Sequence, residues 1–234
     1  MSNVSVLIGS NTAELQSFFN SMEYYLSVSK AAKQRLDKEL ASSFSVFDYV
    51  SDNETMLSRI LADLLTTTGS HGQGDLFLKE FLAMFKSLSF SPTGDPVVSL
   101  EYATRLLQNF NRRIDIHLSW GGFGIGIENK PWALEQDDQL KDYNDQLKNE
   151  FNDNYLLIFL STTGRAPQSI PNWGELTKQG KAAAISFYPD LYDWLIRCRQ
   201  QCEAEKVRYF IKDFADYIQY NLKGDFTVQE SNNV

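Results

Sequence analysis

Two short runs of alternating apolar and polar residues, separated by two glycines, constrain the fold of this chain more than any other feature. The runs cover residues 113–120 and 123–130, and Gly121-Gly122 lies between them. Strict alternation is typical of β-strands, and a glycine pair between two such runs predicts a tight β-hairpin. We expect a type I′ turn, which has positive φ at both central residues, so that Trp120 pairs with Phe123.

The same register places Asp115 directly opposite Glu128 on one face of the hairpin. Lys130 shares this face and opposes Arg113. Arg113 therefore lies on the same face as the two carboxylates and can contact a phosphate, whereas Arg112 points away. Like charges opposed across a ladder are destabilising, and a divalent cation with oxygen ligands, helped by the lysine, offsets the repulsion. The alternative interpretation is a solvated face that carries charge by chance. The apolar face of the first strand comprises Ile114, Ile116, Leu118 and Trp120.

These residues resemble the signature of the PD-(D/E)xK nuclease superfamily, which has an Asp at the end of one strand and a Glu-x-Lys on the next. Asp115 and Glu128-Asn129-Lys130 match this signature, although Ile114 stands where the superfamily usually has proline. Gln139 and Tyr143 look like the Gln-x-x-x-Tyr element of the RecB-like branch. The whole run is similar to a bacterial and phage family of the superfamily that has few characterised members, and the resemblance covers roughly residues 50–200.

The resemblance implies an α/β fold with a restriction-endonuclease-like core, in which a mixed β-sheet with a three-strand antiparallel meander is flanked by α-helices. Periodicity predicts strands at 97–105, 111–120, 123–130, 154–161 and 183–188. The run at 154–161 is continuously apolar, as expected for a central strand buried on both faces. Helices are predicted at 11–40, from 51, at 75–88, at 136–150, from Pro189 and at 203–222, with a polar loop at 163–180.

Three segments are expected: a helical segment at 1–50 that packs on the core, the nuclease core at 51–200, and a C-terminal helix and tail at 201–234, frayed from 227. No apolar run reaches the roughly 18 residues of a membrane-spanning helix, so we expect no membrane partner. The N-terminus lacks the basic and apolar regions of a signal peptide. Cys198 and Cys202 are interpreted as reduced thiols, which indicates a cytoplasmic protein.

The acidic character of the chain argues against strong non-specific binding to nucleic acid. Its formal net charge is −8 at pH 7, and affinity for the phosphate backbone depends on local positive charge. The composition therefore predicts weak substrate binding, a homodimer, or a partner protein that supplies a basic surface.

The resemblance implies a hydrolase that cleaves phosphodiester bonds, most simply those of DNA, with Mg²⁺ as cofactor and Mn²⁺ as a substitute. Asp115, Glu128 and the carbonyl of Asn129 would hold the ion, and Lys130 would act on the attacking water or on the transition state. Glu54, on the helix before the first strand, has two interpretations that do not exclude each other. It is a further metal ligand according to the resemblance, and it also completes a Ser-x-x-Glu capping box that begins at Ser51.

Four further side chains are candidates for contact with substrate. Gln139 and Tyr143 are four residues apart and share a helix face, and the resemblance implies that they position the substrate strand; the alternative is a helix surface with a partly buried tyrosine. His71 and Gln73 lie in the glycine-rich turn 69–74. This turn could contact a phosphate or simply lead into the next helix.

Three functions are compatible with these features. The first is a DNA nuclease with a role in phage defence or restriction, the setting in which the resembled family is found. The second is a nuclease that acts on RNA or on another phosphodiester. The third is a catalytically silent module with a nuclease fold that binds nucleic acid or protein. The intact Asp115, Glu128 and Lys130 favour an enzyme, because a silent relative usually lacks at least one of them.

Overall fold

A mixed five-stranded β-sheet in the order β1-β2-β3-β4-β5 forms the framework of the chain. The strands are β1 Val97–Ala103, β2 Arg113–Ser119, β3 Gly124–Lys130, β4 Tyr155–Ser161 and β5 Ala182–Ser186. β1, β2 and β3 form an antiparallel meander, and β4 and β5 run parallel to β3. The predicted α/β fold is confirmed, and each predicted strand agrees with the observed one to within two residues at either end.

The computed structural model describes residues 2–41, 44–50, 53–85, 93–104 and 112–224. They divide into two units, Met1–Asp48 and Tyr49–Val234. The first unit contains helix α1, which covers Ser2–Leu40 and is longer than predicted. The packing of residues 1–50 on the core stays a prediction. The predicted frayed tail and Ser51 of the capping box lie outside the described residues.

The described residues of the second unit contain six α-helices: α2 Glu54–Leu65, α3 Leu76–Leu82, α4 Gln139–Phe151, α5 Trp173–Lys178, α6 Tyr192–Gln201 and α7 Glu205–Asn221. Helix α5 lies inside the segment predicted to be a polar loop; it is a short helix held by the buried Trp173 and Leu176. Helix α6 begins at Tyr192 and not at Pro189, because Phe187–Leu191 forms a separate irregular turn. None of the helices in the described part of the chain is long and apolar enough to cross a membrane.

The hairpin of β2 and β3 has the predicted register, with Ile116 opposite Ile127 and Ser119 opposite Gly124. The N–H of Trp120 donates to the carbonyl of Phe123 at 2.9 Å and closes the turn. The predicted type I′ turn is wrong, since of the two central glycines only Gly121 has positive φ, at 80°. Positive φ at the first central residue alone is the pattern of a type II′ turn.

Two helices cover opposite faces of β3. Gly124 and Gly126 face α4: a Cβ added to Gly124 would lie 2.1 Å from Cε2 of Phe151, and one on Gly126 would lie 2.9 Å from Cδ1 of Leu147. Asn129 is an odd number of positions from both glycines, and its side chain contacts Ser58 of α2. Because successive residues of a strand point to opposite faces, α4 and α2 lie on different sides of the sheet. Beside β3, all seven residues of β4 are buried, as predicted.

The alternation of β2 is interrupted at Asp115. Ile114 Cγ2 lies 3.4 Å from the position of a Cβ on Gly126, and Gly126 pairs with His117. Ile114 therefore lies on the α4 side with His117, and not with the other apolar residues of β2 as the alternation predicted. On the neighbouring strand Glu101 has a positive φ of 51°. Such a local irregularity lets a strand change the face that its side chains present.

Candidate active site

Glu128 is the most deeply buried charged residue of the site, with no solvent exposure. Its Oε1 accepts a hydrogen bond from Nε2 of Gln139 at 2.7 Å and lies 2.9 Å from Nζ of Lys130. Its Oε2 is buried and has no hydrogen-bond partner among the described residues. A buried carboxylate oxygen without a partner is costly, so this oxygen has the capacity to bind a cation.

Asp115 lies beside Glu128, as the register predicted. Its Oδ2 accepts the backbone N–H of Asn129 at 2.7 Å, and it is close enough for its charge to act on Glu128. Burial raises the pKa of Asp115 to about 6. Burial, and then the charge of Asp115, raise the pKa of Glu128 well above its ordinary value. The two carboxyl groups thus hold protons more tightly than exposed ones, because burial disfavours their charged forms.

Lys130 joins two carboxylates. Its Nζ lies 2.9 Å from Oε1 of Glu128 and 3.2 Å from Oε2 of Glu54. Burial by itself would lower the pKa of Lys130, but the charges of Glu128 and Glu54 outweigh it and raise that pKa above its ordinary value. Lys130 is therefore an ammonium ion in this arrangement, and it offers positive charge to the site and not a base.

Glu54 is the first residue of α2, and the helix cap is Asn53, whose side chain accepts the N–H of Met56 at 2.8 Å. The carboxylate of Glu54 instead contacts Lys130, which is 76 positions further along the chain. The position of Glu54 is secured by Asn129, whose Nδ2 donates to the Glu54 carbonyl at 3.1 Å. Sequence reasoning considered Asn129 only for its carbonyl; its side chain is what ties β3 to α2.

The pair Gln139 and Tyr143 lies against the carboxylates from the α4 side. Nε2 of Gln139 is 3.1 Å from the hydroxyl of Tyr143, and that hydroxyl donates to the carbonyl of Arg113 at 2.5 Å. Burial and the charge of Glu128 raise the pKa of Tyr143, so the phenol keeps its proton. Both side chains are buried, and their observed contacts orient Glu128 and anchor α4 to β2. Their role in positioning a substrate strand stays a prediction.

The two arginines at the start of β2 are arranged opposite to the prediction. Arg112 contacts α4, where its Nε lies 2.8 Å from Oδ2 of Asp142. The residue Arg113 is exposed, and only its backbone carbonyl contacts the site, through Tyr143. The reason is the interruption of the alternation at Asp115. The side chains before this residue lie on the opposite face of the sheet from the one predicted for an unbroken strand.

His71 and Gln73 are not brought to the carboxylates. Nε2 of His71 bonds to the carbonyl of Thr66 at 2.9 Å, and its Nδ1 accepts the N–H of Gln73 at 3.0 Å. Oε1 of Gln73 accepts the N–H of Glu203 at 2.8 Å. Both side chains stabilise the connection between α2 and α3, and the prediction that they contact substrate is not supported by their positions.

The donor atoms at the site fit a hard divalent cation. Asp115 and Glu128 supply carboxylate oxygens, one of which is buried without a partner, and Mg²⁺ and Mn²⁺ prefer such ligands. Glu54 is engaged by Lys130 and does not join them directly. No cluster of three or more His, Cys, Asp or Glu residues suited to a metal ion occurs within the described ranges. A cation here would thus have two protein carboxylates and would leave positions for water and phosphate.

Comparison with known proteins gives one match. A family model described as PD-(D/E)XK nuclease superfamily matches residues 43–217. No curated protein and no solved structure matches the chain. The matched residues include the five strands, α2 and α4, and therefore every side chain of the site described above. The RecB-like placement within the superfamily stays a prediction.

Proposed function

The chain belongs to the PD-(D/E)XK nuclease superfamily, and from this premise we propose that it hydrolyses phosphodiester bonds of DNA with Mg²⁺ or Mn²⁺ bound at Asp115 and Glu128. The observation that carries the proposal is the pairing of Asp115 with the fully buried Glu128, which has an ammonium group at 2.9 Å. The alternative of a solvated sheet face is hard to reconcile with a Glu128 that has no solvent exposure.

Each residue of the site has a separate role in this proposal. Asp115 and Glu128 would hold the cation together with the carbonyl of Asn129. A bound cation lowers the pKa of a coordinated water and neutralises charge on the phosphate. Lys130 keeps its proton on Nζ and stabilises negative charge that develops on the phosphate. Glu54 holds the ammonium group from the side of α2.

The helix α4 contributes orientation. Gln139 donates to Oε1 of Glu128 at 2.7 Å, so this oxygen is held and Oε2 is left for the cation. Tyr143 fixes Gln139 in turn. In this proposal the two residues act through Glu128, and any contact with the substrate strand is additional.

The setting is also part of the proposal. We place the enzyme in the cytoplasm, with a role in phage defence or restriction, which is where the resembled family is found. Cys198 and Cys202 are free and buried, consistent with reduced thiols. An RNA-directed nuclease is the second candidate, because the groups of the site would act on the phosphate, which DNA and RNA share.

The test compares Asp115→Asn with Asp63→Asn, a matched change at an exposed aspartate of α2. Supercoiled plasmid, single-stranded DNA and RNA are incubated with wild type and both variants in Mg²⁺, Mn²⁺ or EDTA. We expect cleavage of DNA by wild type and Asp63→Asn only with metal, and none by Asp115→Asn. Cleavage of RNA alone would establish the second candidate. Absence of cleavage of all three substrates, by protein that binds them, would favour the silent module.

A further inference from the structure

Helix α1 presents a continuous apolar stripe that nothing in the function above uses. Among its described side chains, nine large apolar ones are exposed: Leu15, Phe18, Phe19, Met22, Tyr24, Tyr25, Leu26, Val28 and Leu36. Positions 15, 18, 22, 25, 29, 32 and 36 are separated alternately by three and four residues. Five of these positions hold large apolar residues, and the other two hold Ser29 and Ala32. This spacing is the seam along which two helices pair in a coiled coil.

The charges of α1 indicate what pairs with this seam. Between residues 14 and 29 the only charged residues are Glu14 and Glu23, whereas residues 30–40 have a net positive charge, with Lys30, Lys33, Arg35 and Lys38 against Asp37 and Glu39. The helix therefore has an acidic first part and a basic second part. A second copy in the antiparallel direction places acidic against basic, while a parallel copy places like charges together.

We propose that α1 is a homodimerisation helix, which pairs antiparallel with α1 of a second copy. The axis of symmetry lies between residues 23 and 24, so that Met22 of one copy packs on Tyr25 of the other. The same register sets Leu15 against Ala32 and brings Glu14 beside Arg35. Phe19 then contacts Leu26 along one flank. One arrangement thus buries the apolar stripe and also pairs opposite charges.

The size of the stripe suits a reversible dimer. Aromatic side chains bury about 150–250 Å² each when fully covered, and those of α1 are already partly covered by their own helix. Two copies would bury on the order of 1,000 Å² in total, which is at the lower end for a specific interface. The dimer should therefore dissociate on dilution. The proposal does not depend on nuclease activity and is tested without it.

The first test measures the mass of the full chain by sedimentation equilibrium across a concentration series. The monomer mass is 26.8 kDa, and we expect a shift towards twice this value as concentration rises. Tyr25→Asp should weaken the dimer by at least tenfold, because it puts a charge into the seam. The matched variant Tyr24→Asp changes the adjacent exposed tyrosine, which lies off the seam, and should weaken it by less than threefold.

The second test examines direction by charge reversal. Glu14→Arg and Arg35→Glu should each weaken the dimer several-fold, because each sets like charges together in both copies. The double variant restores opposite charges and should recover the wild-type association. This recovery would not be seen if the changes merely disturbed the helix.

Cross-linking completes the test with Phe18→Cys and Ser29→Cys. In the proposed register position 18 lies against position 29 of the other copy, so the double variant should form a disulfide-linked dimer. Each single variant should not, because its two thiols are about 16 Å apart along the axis. Wild type, which has only the buried Cys198 and Cys202, controls for background.

Three results would each overturn the proposal: a monomer at all concentrations, efficient linkage by Ser29→Cys alone, or a double charge reversal that does not recover association.

Discussion

Lys130 explains how Glu128 can be fully buried. A charged carboxylate away from water needs a close positive charge and hydrogen bonds to its oxygens. Lys130 supplies the charge at 2.9 Å and Gln139 supplies one hydrogen bond. The same ammonium group also holds Glu54 on another element. A single side chain thus compensates the charge of carboxylates on two different elements.

Replacing Lys130 by methionine should separate its two contributions. We expect Lys130→Met to keep the fold and metal binding, to lose about 3 kcal/mol of stability at pH 7.5 because a buried pair is broken, and to cleave at least 100-fold more slowly. The loss of stability should be smaller at pH 5.5 than at pH 7.5, because the raised pKa of Glu128 favours uptake of a proton as the pH falls. Urea unfolding at both values and a plasmid assay measure these effects. Lys141→Met, at an exposed position of α4, is the control; wild-type cleavage by Lys130→Met would refute the role.

The raised pKa of Asp115 has a consequence for stability. The folded pKa is about 6 and the ordinary value is 3.8, so the folded state binds this proton more tightly than the unfolded state. Stability from this group is therefore present below about pH 4 and is lost as pH rises through about 6, by up to about 3 kcal/mol.

Asp115→Asn should remove this part of the pH dependence. In EDTA, the difference in unfolding free energy between Asp115→Asn and wild type should grow in favour of the variant from pH 4.5 to pH 7. Urea unfolding curves measured across this interval provide the values. A constant difference would mean that Asp115 titrates as an exposed carboxyl group.

At the scale of elements, the close approach of α4 to β3 determines the geometry of the site. Gly124 has no side chain where Phe151 packs, and Gly126 has none where Leu147 packs. Because α4 lies so close, Gln139 at its first turn reaches Glu128. Any added bulk at these glycines would move the helix and weaken this contact.

Gly124→Ala tests this contact. The added Cβ would lie 2.1 Å from Phe151, so we expect a loss of about 1–3 kcal/mol through overpacking and slower cleavage through displacement of Gln139. Gly122→Ala is the matched control, since its Cβ meets nothing within 4 Å. Combining Gly124→Ala with Phe151→Leu should recover part of the stability. Equal unfolding midpoints for the two alanine variants would show that α4 does not depend on this glycine.

At the scale of the whole molecule, a bound cation should stabilise the fold. A ligand that binds only the folded state at 100 times its dissociation constant adds about 2.7 kcal/mol, which corresponds to roughly 5–10 °C for a chain of this size. We expect wild type to melt higher in several millimolar Mn²⁺ than in EDTA. Asp115→Asn should melt higher than wild type in EDTA and respond little to Mn²⁺. Equal shifts of the two proteins would show that Asp115 is not a ligand.

The hairpin and its carboxyl pair could be read from the sequence because they depend on local patterns. Alternation and the glycine pair specify the register of β2 against β3, because the length of the turn determines which residues of the two strands are paired. Asp115, Glu128 and Lys130 come together for this reason. The α/β class follows in the same way from strands of the predicted length separated by helical segments.

Only the tertiary structure decided how these residues are used. The pairing of Lys130 with Glu54 joins residues 76 positions apart, and no local periodicity encodes it. The interruption at Asp115 arises from packing between distant elements, and because of it Arg112, and not Arg113, contacts α4. Packing likewise decides that His71 stabilises a loop and does not reach the carboxylates. Helix α5 is stabilised chiefly by burial of Trp173 and Leu176, since a helix of six residues is not stable by itself. Local sequence determines strands and register, whereas side-chain partners are decided by whichever elements the folded chain brings together.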